Sequence, residues 1–251
     1  MIQLTKAGLA GAGDLIQLAH QFEHSHAFCL PHLLHPELIE RVSARLENCE
    51  WITREDGAIA KEAAPSDFAP ANLLNFVVNT SEFLDLVRQV TGCHSIRWFA
   101  GRIYRMTPGA DHFDSWHADV GTTTRDRLVG MSINLSTHPY EGGTFRLREE
   151  ASGEILCELS NTGPGDAILF RISSSLKHMV TPLVGTESKT AFAGWFRSGN
   201  SDFYSMLKLA SRELAALRLP AEKLSGIGRE PLPSNRDGLS GRKNLISTGF
   251  L

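Results

Sequence analysis

Residues 95–120 read SIRWFAGRIYRMTPGADHFDSWHADV, and they set the texture of the chain as far as Arg197. Short runs rich in β-branched and aromatic residues are broken by turn residues at a spacing of roughly ten, the rhythm of an all-β sandwich or barrel. The expected strands cover 96–106, 116–120, 128–135, 143–148, 155–159, 166–170, 178–182 and 189–196. Turn signals fall between them, at Thr107-Pro108-Gly109, Glu141-Gly142-Gly143 and Gly163-Pro164-Gly165-Asp166. This number of short strands suits a double-stranded β-helix, or jelly roll.

Working outward, the preceding segment reads mainly as helix. The first twenty residues are a helix candidate weakened by Gly8, Gly11 and Gly13. An apolar run at 27–30 stops at Pro31 and reads as a strand. Pro36 opens a helix to about Asn48, with Leu38, Val42 and Leu46 at helical spacing. Residues 53–72 carry prolines and mixed charge and read as a loop. A second helix spans 81–91, with Asn79 three residues before Glu82 as a cap signature and Gly92 as its stop. After Arg197 a third helix is expected over 202–218, ended by Pro220, and then a tail rich in Gly, Pro and Ser. The expected fold is mainly β with flanking helices (α+β). The whole of 1–251 forms one domain, with 95–197 the jelly-roll core, 1–94 a helical support and 198–251 the C-terminal helix and tail.

Hydrophobic content is 42%, charged content 21%, and the net charge is -3 with His neutral. These are globular values that allow a sizeable core. The charge argues against general electrostatic binding to nucleic acid or to an anionic membrane. Cys29, Cys49, Cys93 and Cys157 are scattered, with no C-x-x-C pair, which indicates reduced thiols rather than a zinc knuckle or a disulfide framework. No segment has the length of a membrane helix and no leader pattern opens the chain, so a cytoplasmic protein is expected.

His117-Ala118-Asp119 with the distant His178 carries the chemistry. On an extended segment, residues two apart project to one face. Trp116, Ala118 and Val120 then lie opposite His117 and Asp119. An imidazole pair with one carboxylate leaves coordination sites open and is the arrangement of non-heme Fe(II) oxygenases. His112-Phe113-Asp114 is a rival His-x-Asp, but its polar setting reads as loop. His24-Ser25-His26 reads as solvated surface. A single such His would ordinarily be a strand-end polar residue; the ordered setting of all three lowers the weight of that alternative.

The setting is YRMTPGADHFDSWHAD (104–119), then PGDAILFRISSSLKHMVTP (164–182), then GTESKTAFAGWF (185–196). In this order of elements the chain resembles the Fe(II)- and 2-oxoglutarate-dependent dioxygenases, in particular the prolyl-4-hydroxylase-like branch. The resemblance implies that His117, Asp119 and His178 bind Fe(II), with 2-oxoglutarate as co-substrate, O2 as oxidant and ascorbate as a candidate reductant. It assigns Lys189, eleven residues after His178, to the far carboxylate of 2-oxoglutarate, with Arg197 as the alternative anchor. A lysine offers a point charge rather than a fork, so extra donors are needed; Thr190 and Asn134 are the candidates. Tyr104 matches a family tyrosine that helps hold the co-substrate, though its gap to His117 is longer here. The carboxylate at Asp119 favours hydroxylation over halogenation.

The expected activity is hydroxylation of an unactivated C–H in an amino acid, a peptidyl residue or a small natural product. Arg102, Arg125 and Arg127 are candidates for a substrate carboxylate, or are plain surface arginines. The expected partners are that small-molecule or peptide substrate and, through the tail, a second copy in a homodimer; neither nucleic acid nor membrane is expected. The competing readings are a non-catalytic metal- or ligand-binding barrel and a cupin-type enzyme that uses no 2-oxoglutarate.

Overall fold

The structure, a computed structural model, describes residues 1–121, 124–160 and 163–199. The helix and tail expected after residue 201 lie outside them. The described residues fall within one unit, Met1–Leu207. In chain order the elements are β1 (Ile2–Thr5), β2 (Gly8–Gly11), α1 (Leu15–Ser25), β3 (Ala27–Leu30), α2 (Pro36–Leu46), β4 (Trp51–Asp56), β5 (Ala60–Pro65), α3 (Ala69–Val78) and α4 (Ser81–Thr91). There follow β6 (Trp98–Met106), β7 (Phe113–His117), β8 (Arg127–Asn134), β9 (Glu141–Gly142), β10 (Phe145–Glu149), β11 (Ile155–Leu159), β12 (Ala167–Arg171), β13 (Leu176–Val180), β14 (Leu183–Val184) and β15 (Lys189–Arg197).

The strands of the core form one antiparallel sheet in the order β11-β10-β13-β7-β5-β6-β15-β8-β12-β3, with β4 attached to β5. This is the jelly roll that the strand rhythm implied. β15 lies between β6 and β8 and pairs with β6 along its whole length. Its alternation separates two environments. Phe192 and Phe196 point away from the barrel into the core beneath the helices. Lys189, Ala191, Ala193 and Trp195 face the barrel interior. Gly194 is required here, because a Cβ would fall 1.9 Å from the Ala100 carbonyl oxygen on β6.

The helical face is held by aromatic packing and by two amides. Phe99 and Phe196 have ring centroids 4.7 Å apart, with Phe83, Val87 and Val90 of α4 and Leu74 and Val78 of α3 in the same cluster. Each buried Phe contributes about 1.5–3 kcal/mol by leaving water. Asn75 donates to the Gly101 carbonyl and accepts from its N–H, both at 2.8 Å. Asn79 does the same at Phe99, at 2.9 and 2.7 Å. On the edge of β6 away from β15, where no described strand pairs with Phe99 or Gly101, these side chains supply the backbone partners.

Several expectations change. The first twenty residues form a hairpin and only then a helix; Gly8 and Gly11 adopt positive φ, and Asp14 caps α1 by accepting from Gln17 N–H at 3.0 Å. Residues 53–72 are not a loop. They hold most of the β4–β5 hairpin and the start of α3, and β5 bridges β6 and β7. Asn79 does not cap α4: Thr80 is its N-cap, without a side-chain bond, and the Asn79 amide is committed to Phe99. The support of the core is therefore strand and helix together. His24 is exposed, whereas His26 is half-buried with φ 57. The four cysteines are free, and burial pushes the Cys29 and Cys157 thiols up to about 11, so they stay protonated. Among the described residues no helix is long and apolar enough to cross a membrane.

Candidate metal and co-substrate site

His117 and His178 face each other across the β7–β13 ladder, with ring centroids 4.2 Å apart. The register pairs the two residues directly, which brings together positions 61 apart in sequence. β7 runs from Phe113 and ends at His117, so Asp119 lies beyond the strand, and the alternation expected over 116–120 is not what positions it. Two donors position it instead. Trp195 on β15 donates its indole N–H to Asp119 Oδ2 at 2.6 Å, and Arg127 on β8 donates to Oδ1 at 3.3 Å. Arg127 in turn stacks 3.6 Å above the Trp195 ring.

One ligand atom from each of His117, Asp119 and His178 lies within 4.8 Å of the others. Among the described residues this is the only such group of three His, Cys, Asp or Glu. His117 Nδ1 sits 2.7 Å from the Ser115 carbonyl. A carbonyl only accepts, so Nδ1 carries the proton and the Nε2 lone pair is free. His178 is 8% exposed and clamped between Phe145 and Phe170, with centroids at 5.9 and 4.6 Å. Its burial pushes the imidazole down to about 4, which leaves the ring neutral and able to offer a lone pair at physiological pH. Two imidazoles and a carboxylate, with no thiolate, suit Fe(II).

Lys189 lies at the other end of the same face of β15. It is 3% exposed and donates to the Gly143 carbonyl at 3.0 Å. No carboxylate lies within ion-pair distance of it among the described residues. Burial pulls its ammonium down to about 8 while Asp114 acts to raise it. Ala191 and Ala193, both small, lie between Lys189 and Trp195 on this face. The Gly142-Gly143 pair is a tight turn at positive φ, and a side chain at Gly143 would press on the Lys189 stem at 3.2 Å. A buried cation held by a carbonyl, with no carboxylate within ion-pair distance among the described residues, fits a small carboxylate.

The remaining expected residues are placed as follows. Tyr104 is buried on β6 beside Ala191, with Arg102 5.8 Å from its ring centre, and desolvation raises its phenol well above the ordinary range. Asn134 is fully buried, but its amide donates to the Gly163 carbonyl and accepts from Ser136 N–H, at 3.0 and 2.9 Å. Thr190 lies on the opposite face of β15 from Lys189 and accepts from Arg105 Nε at 3.0 Å. Arg197 forms a two-point pair with Asp126, both bonds at 2.8 Å, far along the strand from Lys189. Arg102 pairs with Glu62 at 2.9 Å, and Arg125 is exposed.

Sequence reasoning passed over Trp195 and Arg127 as partners of Asp119. The available signal was spacing: Trp195 lies an even number of residues from Lys189 on one strand. It also set aside Asp114, whose Oδ1 lies 3.3 Å from His117 Nδ1. Burial pushes that carboxyl up to about 6, with His117 and Lys189 opposing. His112 of the rival pair instead accepts from the Thr107 N–H at 2.9 Å.

Residues 101–197 match the sequence model of the 2OG-Fe(II) oxygenase superfamily. No curated protein matches the chain. Among solved structures, a prolyl-4-hydroxylase from Pseudomonas putida superposes with a TM-score of 0.56 at 17% identity, covering 74% of this chain and 100% of that one. A 2OG-Fe(II) oxygenase family oxidoreductase from Burkholderia pseudomallei gives 0.55 at 18%, covering 76% and 94%. SnoN, a non-heme alpha-ketoglutarate-dependent epimerase from nogalamycin biosynthesis, gives 0.53 at 11%, covering 74% and 87%. At these identities the likeness concerns the fold. The matched segment, 101–197, holds Lys189 and the three side chains that could hold a metal ion, and over it the chain is similar to the 2OG-Fe(II) oxygenase superfamily.

Proposed function

We propose that the chain is a hydroxylase that uses Fe(II), 2-oxoglutarate and O2 to oxidise an unactivated C–H of an amino acid, a peptidyl residue or a small natural product. The observation that carries this is the pairing of His117, Asp119 and His178 within 4.8 Å with a buried Lys189 that has no carboxylate within ion-pair distance among the described residues. In this reading the three side chains hold the iron, and Lys189 takes the far carboxylate of 2-oxoglutarate, with Tyr104 beside it. Asn134 and Thr190 support the site through the loops and strands they bind rather than by touching co-substrate.

When bound, iron and co-substrate together supply the oxidising power to break a C–H bond. The chain supplies geometry. Trp195 and Arg127 hold the Asp119 carboxylate in one orientation, Ser115 fixes the His117 tautomer, and Phe145 with Phe170 keeps water from His178. An intact ligand set disfavours a non-catalytic barrel, and the buried ammonium disfavours an enzyme that uses no 2-oxoglutarate. Arg127 has a buried Nε with no hydrogen-bond partner, which supports it over Arg102 and Arg125 as the group for a substrate carboxylate or carbonyl. Cytoplasmic placement and homodimer formation through the tail remain parts of this proposal.

The test is 2-oxoglutarate turnover with Fe(II) and ascorbate in the presence of amino acids and peptides. Succinate and a product heavier by one oxygen are expected. Absence of succinate above the metal-free control would rule the reading out.

A further inference from the structure

Arg102 stands on the same inner face as Lys189 and Trp195. In the β6–β15 ladder it lies opposite Ala193, and Tyr104 lies opposite Ala191. Its guanidinium carbon is 5.8 Å from the centre of the Trp195 ring and 5.8 Å from that of Tyr104. Trp195 is the donor to Asp119, so Arg102 is one side chain removed from the ligand set. Other arginines nearby are held differently. Arg197 grips Asp126 at two points, and Arg105 lies on the opposite face of β6 and donates to Thr190. Arg127 is 7% exposed and set deep, against Asp119. The Arg102 side chain is 35% exposed, although its partner Glu62 is buried. Its Nε and Nη2 both reach one oxygen, Glu62 Oε1, at 3.0 and 2.9 Å. The buried carboxylate thus fixes one edge of the guanidinium. The outer edge, formed by Nη1 and the second N–H of Nη2, has no hydrogen-bond partner among the described residues. Two parallel N–H groups on a guanidinium suit a carboxylate, which they bind at two points. With Glu62 already beside it, the head accepts a single negative charge more readily than a dianion.

We infer that Arg102 binds a carboxylate of the substrate, at a point farther from the ligand set than Arg127. The inference rests on the oxygenase reading of the site and narrows its substrate class. The substrate is a compound whose free carboxylate is set apart from the oxidised C–H: a free amino acid, a C-terminal residue or a carboxylated small molecule, rather than an internal peptidyl residue. Arg127 serves a group that comes closer to the metal, and Arg102 reads the more exposed end of the molecule. Glu62 is the positioning residue that aims the outer edge of Arg102. A guanidinium stays charged throughout the working pH range, so this recognition involves no titration of Arg102.

The experiment uses the full chain with Fe(II) and saturating 2-oxoglutarate, without O2, and follows the visible charge-transfer band of the chelate. Probes are added as acids beside their primary amides: L-leucine and L-leucinamide, N-acetyl-L-phenylalanine and its amide, hexanoate and hexanamide. In at least one pair the acid should perturb the band at a concentration at least about tenfold lower than its amide. That concentration should not rise when 2-oxoglutarate is raised further, which separates binding at Arg102 from displacement of the co-substrate at Lys189. Arg102→Gln should reduce the preference to about threefold or less. The inference is overturned if no probe perturbs the band, if amides act as well as acids in every pair, if the acid acts only by displacing 2-oxoglutarate, or if the preference survives in Arg102→Gln. The wild-type comparison stands even where the variant fails to fold. Failure of the underlying oxygenase reading is separate, since the band would then be missing before any probe is added.

Discussion

The two ends of the inner face of β15 are built in opposite ways. At the Trp195 end a carboxylate, Asp119, is supplied with two donors, an indole at 2.6 Å and a guanidinium at 3.3 Å. At the Lys189 end a cation is buried with one carbonyl at 3.0 Å and, among the described residues, no carboxylate within ion-pair distance. One end is electrically complete before anything binds, and the other is short of a negative charge. A fold does not bury an ammonium so uneconomically for its own stability. In the proposed function, the contrast separates a place that orients a metal ligand from a place that takes an anion.

The largest expected effect comes from removing a ligand. His178→Ala should lower succinate formation on the order of a thousandfold or more, because metal binding and oxidation fail together. Iron content after gel filtration checks the cause, and a normal melting temperature shows that the fold survives.

Lys189→Ala should leave iron bound but weaken 2-oxoglutarate by about a hundredfold, read as a rise in its KM. The same residue gives the pH dependence. In the proposed site Lys189 binds the dianion as ammonium, which persists below its pKa, and burial brings that pKa down to about 8. Affinity for 2-oxoglutarate should therefore hold towards neutral pH and fall as pH rises through 8, by up to about tenfold per unit. A flat profile from pH ~7 to ~9.5 would contradict the assignment.

Trp195→Phe removes one donor from Asp119 and keeps most of the packing. Iron affinity should fall about tenfold, with 2-oxoglutarate affinity on the iron-loaded protein little changed. An equal loss at both ends would dissolve the distinction between them.

The division between what the sequence revealed and what it hid follows range of interaction. The structure brings His117, Asp119 and His178 together. The strand rhythm over 95–197 and the stop of α4 at Gly92 are local patterns, and they read correctly. The β4–β5 hairpin did not. Its strands, Trp51–Asp56 and Ala60–Pro65, mix charge with alanine, because β4 is an edge strand with much of its surface in water. The site was legible as a set of residue types, but its fine structure was not. Asp119 is oriented by Trp195, 76 residues away, and a hydrogen bond of that separation leaves no periodicity. Arg197 and Lys189 could not be distinguished as anchors from sequence. Asp126, which occupies Arg197, comes near it only through the pairing of β8 with β15.

The most direct test is a crystal structure of the full chain with Mn(II), which does not turn over with O2, and 2-oxoglutarate. One anomalous peak is expected within coordination distance of His117 Nε2, an Asp119 oxygen and His178 Nε2, with the far carboxylate of the co-substrate against Lys189 Nζ. A metal elsewhere, or a co-substrate carboxylate that avoids Lys189, would contradict the assignment of both ends of β15.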